Sequence, residues 1–156
     1  METNKEQNGE NIASVIVGKL MNISGILQRE GNRLLAPFDL NQQQFSILFE
    51  IAKAGEVQQK NMVNRLVLEK AHVSKVVKKL QQMGLITVDT KPDDMRSSWL
   101  SVTKKGAQVV DGCRKVFQQW NCDWDTYYNA DELSQILDSV EKLQYLFKEK
   151  SINTIK

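Results

Sequence analysis

The sequence predicts a mostly α-helical fold with one small β-element, and three observations support this. Apolar residues recur at three- and four-residue steps over most of the chain, the spacing of one face of a helix. After Gly84 the pattern changes to short alternating runs of β-branched residues, which indicate strands. The chain has 156 residues, 41% hydrophobic and 26% charged, as in globular proteins able to bury a core.

The first predicted helix runs from about Asn11 to Leu35, after a polar arm that we expect to be disordered. Pro37 ends this helix. Asn41 is the expected N-cap of a second helix, which Ala54-Gly55 closes. The apolar stripe of the first helix consists of Ile12, Val15, Ile16, Leu20, Ile23, Leu27 and Leu34.

A short third helix, about Gln59–Leu66, and a fourth, about Glu69–Met83, follow directly. The fourth helix is two-sided at about 100° per residue. Its inward stripe is Val73, Val76, Val77, Leu80 and Met83. Its opposite face carries Ala71, Lys75, Lys78 and Gln82, with Ser74 and Lys79 at the margins.

Two strands are predicted next, Leu85–Thr90 and Trp99–Thr103. The polar segment 91–98 between them is too long for a tight two-residue turn, so we expect an extended hairpin loop. A helix-turn-helix followed by such a loop predicts an α+β winged helix with a two-stranded β-wing.

The C-terminal part completes six predicted helices. Thr103 caps a fifth helix that runs towards Asp125, and Asn129 with Glu132 forms a capping box that opens the sixth. The terminal helices carry more apolar surface than a compact winged helix covers, so we expect an obligate helical dimerisation lobe. A monomer with a self-contained helical cap is the alternative. The predicted division is 1–36 (arm and dimerisation helix), 37–106 (winged helix) and 107–156 (dimerisation helices).

Charge is unevenly distributed. The segment from Val57 to Lys105 contains ten basic and four acidic residues. The rest of the chain contains eleven basic and fifteen acidic residues. A basic middle between acidic flanks is typical of proteins that bind nucleic acid, although a solvated Lys-rich surface would look the same.

The fourth helix and the wing supply the candidate DNA contacts. Lys75 suits guanine O6/N7, whereas Lys78 and Lys79 suit phosphates. Arg96 suits a minor groove, and Asp94 would hold its guanidinium or the wing backbone, unless the two form only an ordinary surface ion pair. Each residue alone could equally be an exposed solvating group. The predicted DNA-binding residues are Lys70, Ala71, His72, Ser74, Lys75, Lys78, Lys79, Asp94 and Arg96.

The sequence offers few residues that could support catalysis or bind a metal ion. His72 is the one histidine, and no Gly-rich phosphate loop is present. One histidine and two distant cysteines do not make a zinc site. We therefore expect no enzyme activity, metal or cofactor. Cys113 and Cys122 are expected to be inert thiols, with redox sensing as the alternative. No run of about 18 apolar residues and no secretory signal is evident, so we expect a cytoplasmic protein without a membrane span.

These segments together resemble the MarR family of dimeric winged-helix transcription factors. The resemblance rests on Met62–Leu66, on Val73–Leu85, on Asp94-Met-Arg-Ser97 and on Leu100-Ser-Val-Thr-Lys-Lys-Gly106, with Leu40–Phe45 where the family's second helix opens. These match the family's helix-turn-helix, its "Leu-Glu-x-x-Gly-Leu" helix exit and its "Asp-x-Arg … Leu-Thr-x-x-Gly" wing. Gln81, Val102 and Val67 depart from the pattern, and none of them removes a contact group.

The resemblance implies a homodimer that binds pseudo-palindromic double-stranded DNA and regulates transcription, with repression as the expected direction. It also implies a phenolic or other small anionic effector, since such compounds lower the DNA affinity of relatives. The Phe117/Trp120/Trp124 stripe could line its pocket, but we expect core or interface packing for these residues instead. Two alternatives remain: a winged helix that binds a partner protein instead of DNA, and a thiol-based sensor. The operator, the regulated genes and the effector's identity are open.

Overall fold

The structure is a computed structural model that describes residues 11–66 and 68–154. The polar arm predicted for residues 1–10 and the departure at Val67 lie outside the described residues, as do the side chains of residues 94 and 152–154. The chain divides into two compact units, one up to Val116 and one from Phe117 onwards.

The first unit contains most of the regular structure. In chain order its elements are α1 (Ile12–Leu35), a 3₁₀ turn (Ala36–Phe38), α2 (Gln42–Ala54), β1 (Glu56–Gln58), α3 (Gln59–Leu66), α4 (Lys70–Gln82), β2 (Ile86–Lys91), β3 (Asp94–Val102) and α5 (Lys104–Trp120), whose last residues belong to the second unit. The second unit adds α6 (Trp124–Tyr127) and α7 (Ala130–Thr154). The predicted mostly helical winged-helix class is confirmed. A short helix, α6, and a short strand, β1, join the six predicted helices and two predicted strands.

Asparagine caps begin three of the helices, as their short side chains favour. The Asn11 side chain accepts a hydrogen bond from the Ala13 backbone N–H. Asn41 and Gln44 form a reciprocal capping box at the start of α2. Asn129 and Glu132 do the same at the start of α7, with bonds of 2.8 and 3.0 Å. The predicted caps at Asn41 and Asn129 are therefore confirmed.

The three strands form one antiparallel sheet in the order β1-β3-β2. Leu100 lies in the central strand and pairs with Val57 on one side and Val88 on the other. Strand β1 was not predicted, because three residues are too few to show alternation. Its pairing with β3 attaches the wing to the helix-turn-helix.

The wing tip differs from the expected long loop. Lys91 pairs with Asp94, so Pro92 and Asp93 form a tight two-residue turn after all. The register then shifts, because Thr90 pairs with Ser98. Residues 95–97 consequently bulge from β3 between these two pairs. The polar segment is thus a turn plus a bulge, a combination that sequence length alone does not distinguish from an open loop.

Helix α5 ends earlier than predicted. It stops at Trp120 and does not continue towards Asp125. A turn follows, with the Cys122 backbone N–H donating to the Gln119 carbonyl, and Asp123 precedes α6. Trp124 therefore belongs to a separate helix and not to the α5 stripe.

The core of the first unit joins α2, α3, α4 and the sheet. Ile47, Leu48, Met62, Leu80 and Leu100 have no exposed surface. The remaining buried apolar side chains are Leu35, Leu40, Phe45, Ile51, Val57, Val73, Val76, Val77, Leu85, Ile86, Val110 and Cys113. Burying this set holds α4 firmly by one face, since each such side chain contributes about 1.5–3 kcal/mol.

Apolar side chains remain exposed in both units. On α1 of the first unit these are Ile12, Val15, Ile16, Val17, Met21, Ile23, Ile26 and Leu27. In the second unit they are Trp124, Tyr127, Tyr128, Ile136, Leu137, Val140, Tyr145, Leu146 and Phe147. Such extended apolar faces are unusual on a monomer.

Candidate nucleic-acid interface

Helix α4 presents one polar, cationic face. Val73, Val76, Val77 and Leu80 are buried, so the opposite side of the helix turns outward as the periodicity predicted. The exposed residues of this face are Lys70, Ala71, Ser74, Lys75, Lys78, Lys79 and Gln82. A helix held by an apolar stripe with cations and small polar groups outward has the shape and charge to enter a major groove.

Hydrogen bonds to the start of α5 fix the exit of α4. Gly84 adopts a φ of 71°, which ends the helix. The Thr103 hydroxyl donates to the Gly84 carbonyl at 2.7 Å and accepts from the Gly106 backbone N–H at 2.9 Å. The Lys105 ammonium donates to the Met83 carbonyl at 2.8 Å. Thr103 thus caps α5 as predicted, and these contacts set the position of α4 relative to β3 and α5.

Lys91, the residue before the turn at the wing tip, holds the wing to the rest of the sheet. Its Nζ lies 2.7 Å from Glu56 Oε2 on β1 and 3.5 Å from the centre of the Trp99 ring on β3. These contacts join all three strands. Lys91 is therefore a structural cation of the wing, whereas Arg96 lies in the bulge and is exposed.

A cleft of about 300 Å³ lies where α3, α4 and the wing meet. Three cations line it, Lys60, Lys70 and Arg96. The other lining residues are Gln58, Gln59, Val63, Val73, Ser97 and Ser98. Three positive charges beside polar side chains suit a phosphate group. The structure thus brings Lys70 and Arg96 together, and it adds Lys60, which was not among the predicted site residues.

A second concave surface of about 480 Å³ lies between the start of α2 and α4. Lys75, Lys78 and Lys79 line it, together with Asn41 and Gln44 of the α2 capping box. His72 lines it as well but is half-buried. Its Nε2 atom is enclosed and has no hydrogen-bond partner among the described residues. His72 therefore differs from the exposed lysines of the same helix.

The Ser74 hydroxyl forms a hydrogen bond with a side chain of the neighbouring helix α3. Gln59 Nε2 on α3 donates to Ser74 Oγ at 3.0 Å. Gln59 was not a predicted site residue, because a contact between positions 15 residues apart leaves no local sequence signal. The contact predicted between Asp94 and Arg96 cannot be placed, since the Asp94 side chain lies outside the described residues.

Other chemistry is weakly represented in the described part of the chain. Over residues 11–66 and 68–154 there is no group of three or more His, Cys, Asp or Glu side chains placed to hold a metal ion. Burial raises the pKa of the Cys113 thiol to about 11, whereas Cys122 is exposed. None of the described helices has the length and apolar character needed to cross a membrane.

Comparison with known proteins places this interface in a family. A MarR-family model matches residues 40–98, which run from the start of α2 into β3. Residues 40–98 form a MarR-family domain. This MarR-family domain contains α3, α4, β2 and the bulge with Arg96.

Relatives and solved structures agree with this assignment. The HTH-type transcriptional regulator BilQ of Clostridioides difficile (strain CD3) is 27% identical over 108 residues, which are 69% of this chain and 73% of BilQ. A mutant MarR from E. coli complexed with operator DNA has a TM-score of 0.74 at 20% identity, covering 84% of this chain and 95% of that one. The organohalide sensing regulator RdhR, in its 2,4-dichlorophenol bound form, has a TM-score of 0.78 at 17% identity, covering 95% and 88%. These likenesses show the MarR-type winged-helix fold.

Proposed function

We propose that this MarR-family protein is a transcriptional regulator that binds double-stranded DNA as a homodimer and acts as a repressor at pseudo-palindromic operators. The observation that supports it best is the outward face of α4, where Lys75, Lys78 and Lys79 are exposed. Lys70 of the same helix lines a cleft together with Arg96 of the wing bulge. The E. coli MarR structure with operator DNA has the same fold and supports the same role. Such a regulator of bacterial genes would work in the cytoplasm.

In this proposal α4 enters the major groove. Lys75, Ser74 and Ala71 face base edges, and Lys78 and Lys79 neutralise phosphates. Arg96 follows the adjacent minor groove. Lys60, Lys70 and the cleft they share with Arg96 receive a backbone phosphate between the two grooves.

The exposed apolar faces of α1 and α7 support the homodimer. Ile12 and Met21 are 75% and 71% exposed in the single chain, and Leu137 is 59% exposed. We propose that a second copy of the chain covers these faces. A two-fold pair would present its two recognition helices to half-sites about 34–36 Å apart, one turn of DNA.

A small-molecule effector forms part of the proposal. RdhR, which shares the fold, has been seen in a 2,4-dichlorophenol bound form. We propose that a phenolic or small anionic compound lowers the DNA affinity of this protein too. Adding 2,4-dichlorophenol to a preformed complex tests this, and release of DNA at micromolar to millimolar concentrations is the expected result. Benzene at equal concentration is the matched control.

Gel-shift binding to DNA from upstream of the gene tests the main proposal. Affinity should fall by about 10³–10⁵ between 50 and 200 mM salt if six to ten phosphates are contacted. Lys75→Ala with Lys78→Ala should weaken binding, and Arg96→Ala should do so while the protein stays dimeric. Lys53→Ala changes an exposed lysine of α2 outside this face and should leave affinity unchanged. A flat salt response, or equal binding by all variants, would contradict DNA binding.

Two other functions have less support. A protein-interaction module would be favoured by an apolar or acidic outward face on α4, whereas this face is cationic. A thiol sensor at Cys113 is disfavoured, because a buried thiol with a raised pKa forms little of the reactive thiolate. We expect no catalysis and no cofactor, since the described interface holds no nucleophile paired with a base.

A further inference from the structure

The hydrogen bond between Gln59 and Ser74 links the two helices of the helix-turn-helix. Gln59 is the first residue of α3, and Ser74 lies on the outward face of α4. The amide nitrogen of Gln59 donates, and the Ser74 oxygen accepts, at 3.0 Å. A side chain on the first helix therefore positions a hydroxyl on the second.

Three other helical serines use their hydroxyl differently. Ser46 on α2 and Ser139 and Ser151 on α7 each donate to the backbone carbonyl four residues earlier, at 2.8–2.9 Å. Within the described chain, the Ser74 hydroxyl makes its hydrogen bond only as an acceptor. Since a hydroxyl has one proton to donate, the proton of Ser74 stays available to a group outside the helix.

We infer that Gln59 is a positioning residue that makes Ser74 a hydrogen-bond donor towards a base edge, which rests on the proposed DNA binding. With one lone pair of Ser74 occupied by the Gln59 amide, the hydroxyl proton points away from Gln59. In the major groove the acceptors that it can reach are purine N7, guanine O6 and thymine O4. The protein therefore prefers a base that presents an acceptor at one position of each half-site.

The acidic variant Gln59→Glu gives the sharpest test. A carboxylate only accepts hydrogen bonds, so the Ser74 hydroxyl would donate to it and turn its lone pairs to the groove. The preferred base at that position should then change to one that presents a donor, adenine N6 or cytosine N4. A purely structural role for Gln59 predicts no such change.

The experiment selects sequences from a randomised double-stranded DNA library with the full-length protein and three variants. Ser74→Ala should reduce the preference at one position of each half-site by about three- to tenfold, the worth of one hydrogen bond. Gln59→Glu should shift the base preferred at that same position. Gln81→Glu adds an equal charge at the far end of α4 and should lower affinity without changing any preference. Thermal melts check that each variant is folded.

The outcomes test the role of Ser74, the positioning by Gln59 and the proposed DNA binding separately. An unchanged base preference in Ser74→Ala, with binding intact, would overturn the role of Ser74. A uniform loss of affinity in Gln59→Glu, matching that of Gln81→Glu, would overturn positioning by Gln59. If the unaltered protein enriches no sequence, the proposed DNA binding fails, and the inference fails with it.

Discussion

The ammonium nitrogen of Lys91 lies 3.5 Å from the centre of the Trp99 ring. It also lies 2.7 Å from Glu56 Oε2, so one side chain on β2 contacts both other strands. A cation over an aromatic face contributes about 0.5–1 kcal/mol at an exposed site, and an exposed ion pair contributes about 0–1 kcal/mol. The end of β2 is therefore tied to both other strands, next to the bulge that carries Arg96.

Lys91→Ala should destabilise the protein by about 1 kcal/mol, because it removes both contacts. Urea unfolding followed by circular dichroism measures the change. Lys53→Ala changes an exposed lysine outside the wing. Its free energy of unfolding should stay within about 0.5 kcal/mol of that of the unaltered protein. A loss of DNA affinity in Lys91→Ala without any loss of stability would mean that Lys91 contacts DNA directly.

Gly106→Ala should lower the free energy of unfolding by about 1–3 kcal/mol or more. A Cβ at Gly106 would fall on the backbone carbonyl oxygen of Leu85, and backbone cannot move aside as a flexible side chain can. The start of α5 would be pushed away from the exit of α4. Thermal unfolding measures the effect. The neighbouring exposed Lys104→Ala serves as control, and an equal melting temperature for both variants would contradict the close approach.

Cys113 should resist alkylation in the folded protein. Its pKa is raised by burial to about 11, so at pH 8 it is almost wholly the unreactive thiol. Iodoacetamide labelling followed by mass spectrometry should modify the exposed Cys122 first, and 8 M urea should remove the difference. Equal labelling of both cysteines in the native protein would show that Cys113 is accessible.

The raised pKa of Cys113 also predicts how the free energy of unfolding changes with pH. The folded protein holds the Cys113 proton up to a pH of about 11, whereas the unfolded thiol loses it from its ordinary value of 9.0. The contribution of this group to the free energy of unfolding is therefore complete below pH 9 and falls as the pH rises through 11. Cys113→Ala should flatten that part of the pH profile.

Val140→Glu should convert the proposed dimer into monomers. Val140 is 50% exposed within the single chain, and a buried carboxylate at an apolar interface is costly. Lys142→Glu adds a carboxylate about 160° away from Val140 around α7, at a side chain that is 75% exposed, and should stay dimeric. Sedimentation equilibrium measures the mass, and gel shifts should show weaker operator binding by the monomer. A dimeric Val140→Glu protein would place the interface elsewhere.

Local signals in the sequence located the helix-turn-helix well. The bounds predicted for α3, Gln59–Leu66, are those of the structure. The caps at Asn41 and Asn129 and the helix end before Gly84 depend on neighbouring residues, so the sequence contains them. The outward face of α4 followed from its period alone.

Features that depend on distant pairing were not predictable. Strand β1 exists because Glu56–Gln58 pair with β3, more than 40 residues away. The turn at residues 92–93 depends on the pairing of Lys91 with Asp94, and the bulge beyond it depends on the pairing of Thr90 with Ser98. The Gln59–Ser74 bond and the place of Lys60 beside Arg96 likewise arise only when separate helices and the wing come together.

The bulge at residues 95–97 makes the reach of the wing independent of the core. The strands are paired on both sides of it, at Thr90–Ser98 and, after the shift in register, at Lys91–Asp94. A residue added to or removed from this bulge would change the length of the wing, whereas Leu100 would stay buried in the core. Changes in length at these three positions are therefore expected to alter the wing while the buried core stays as it is.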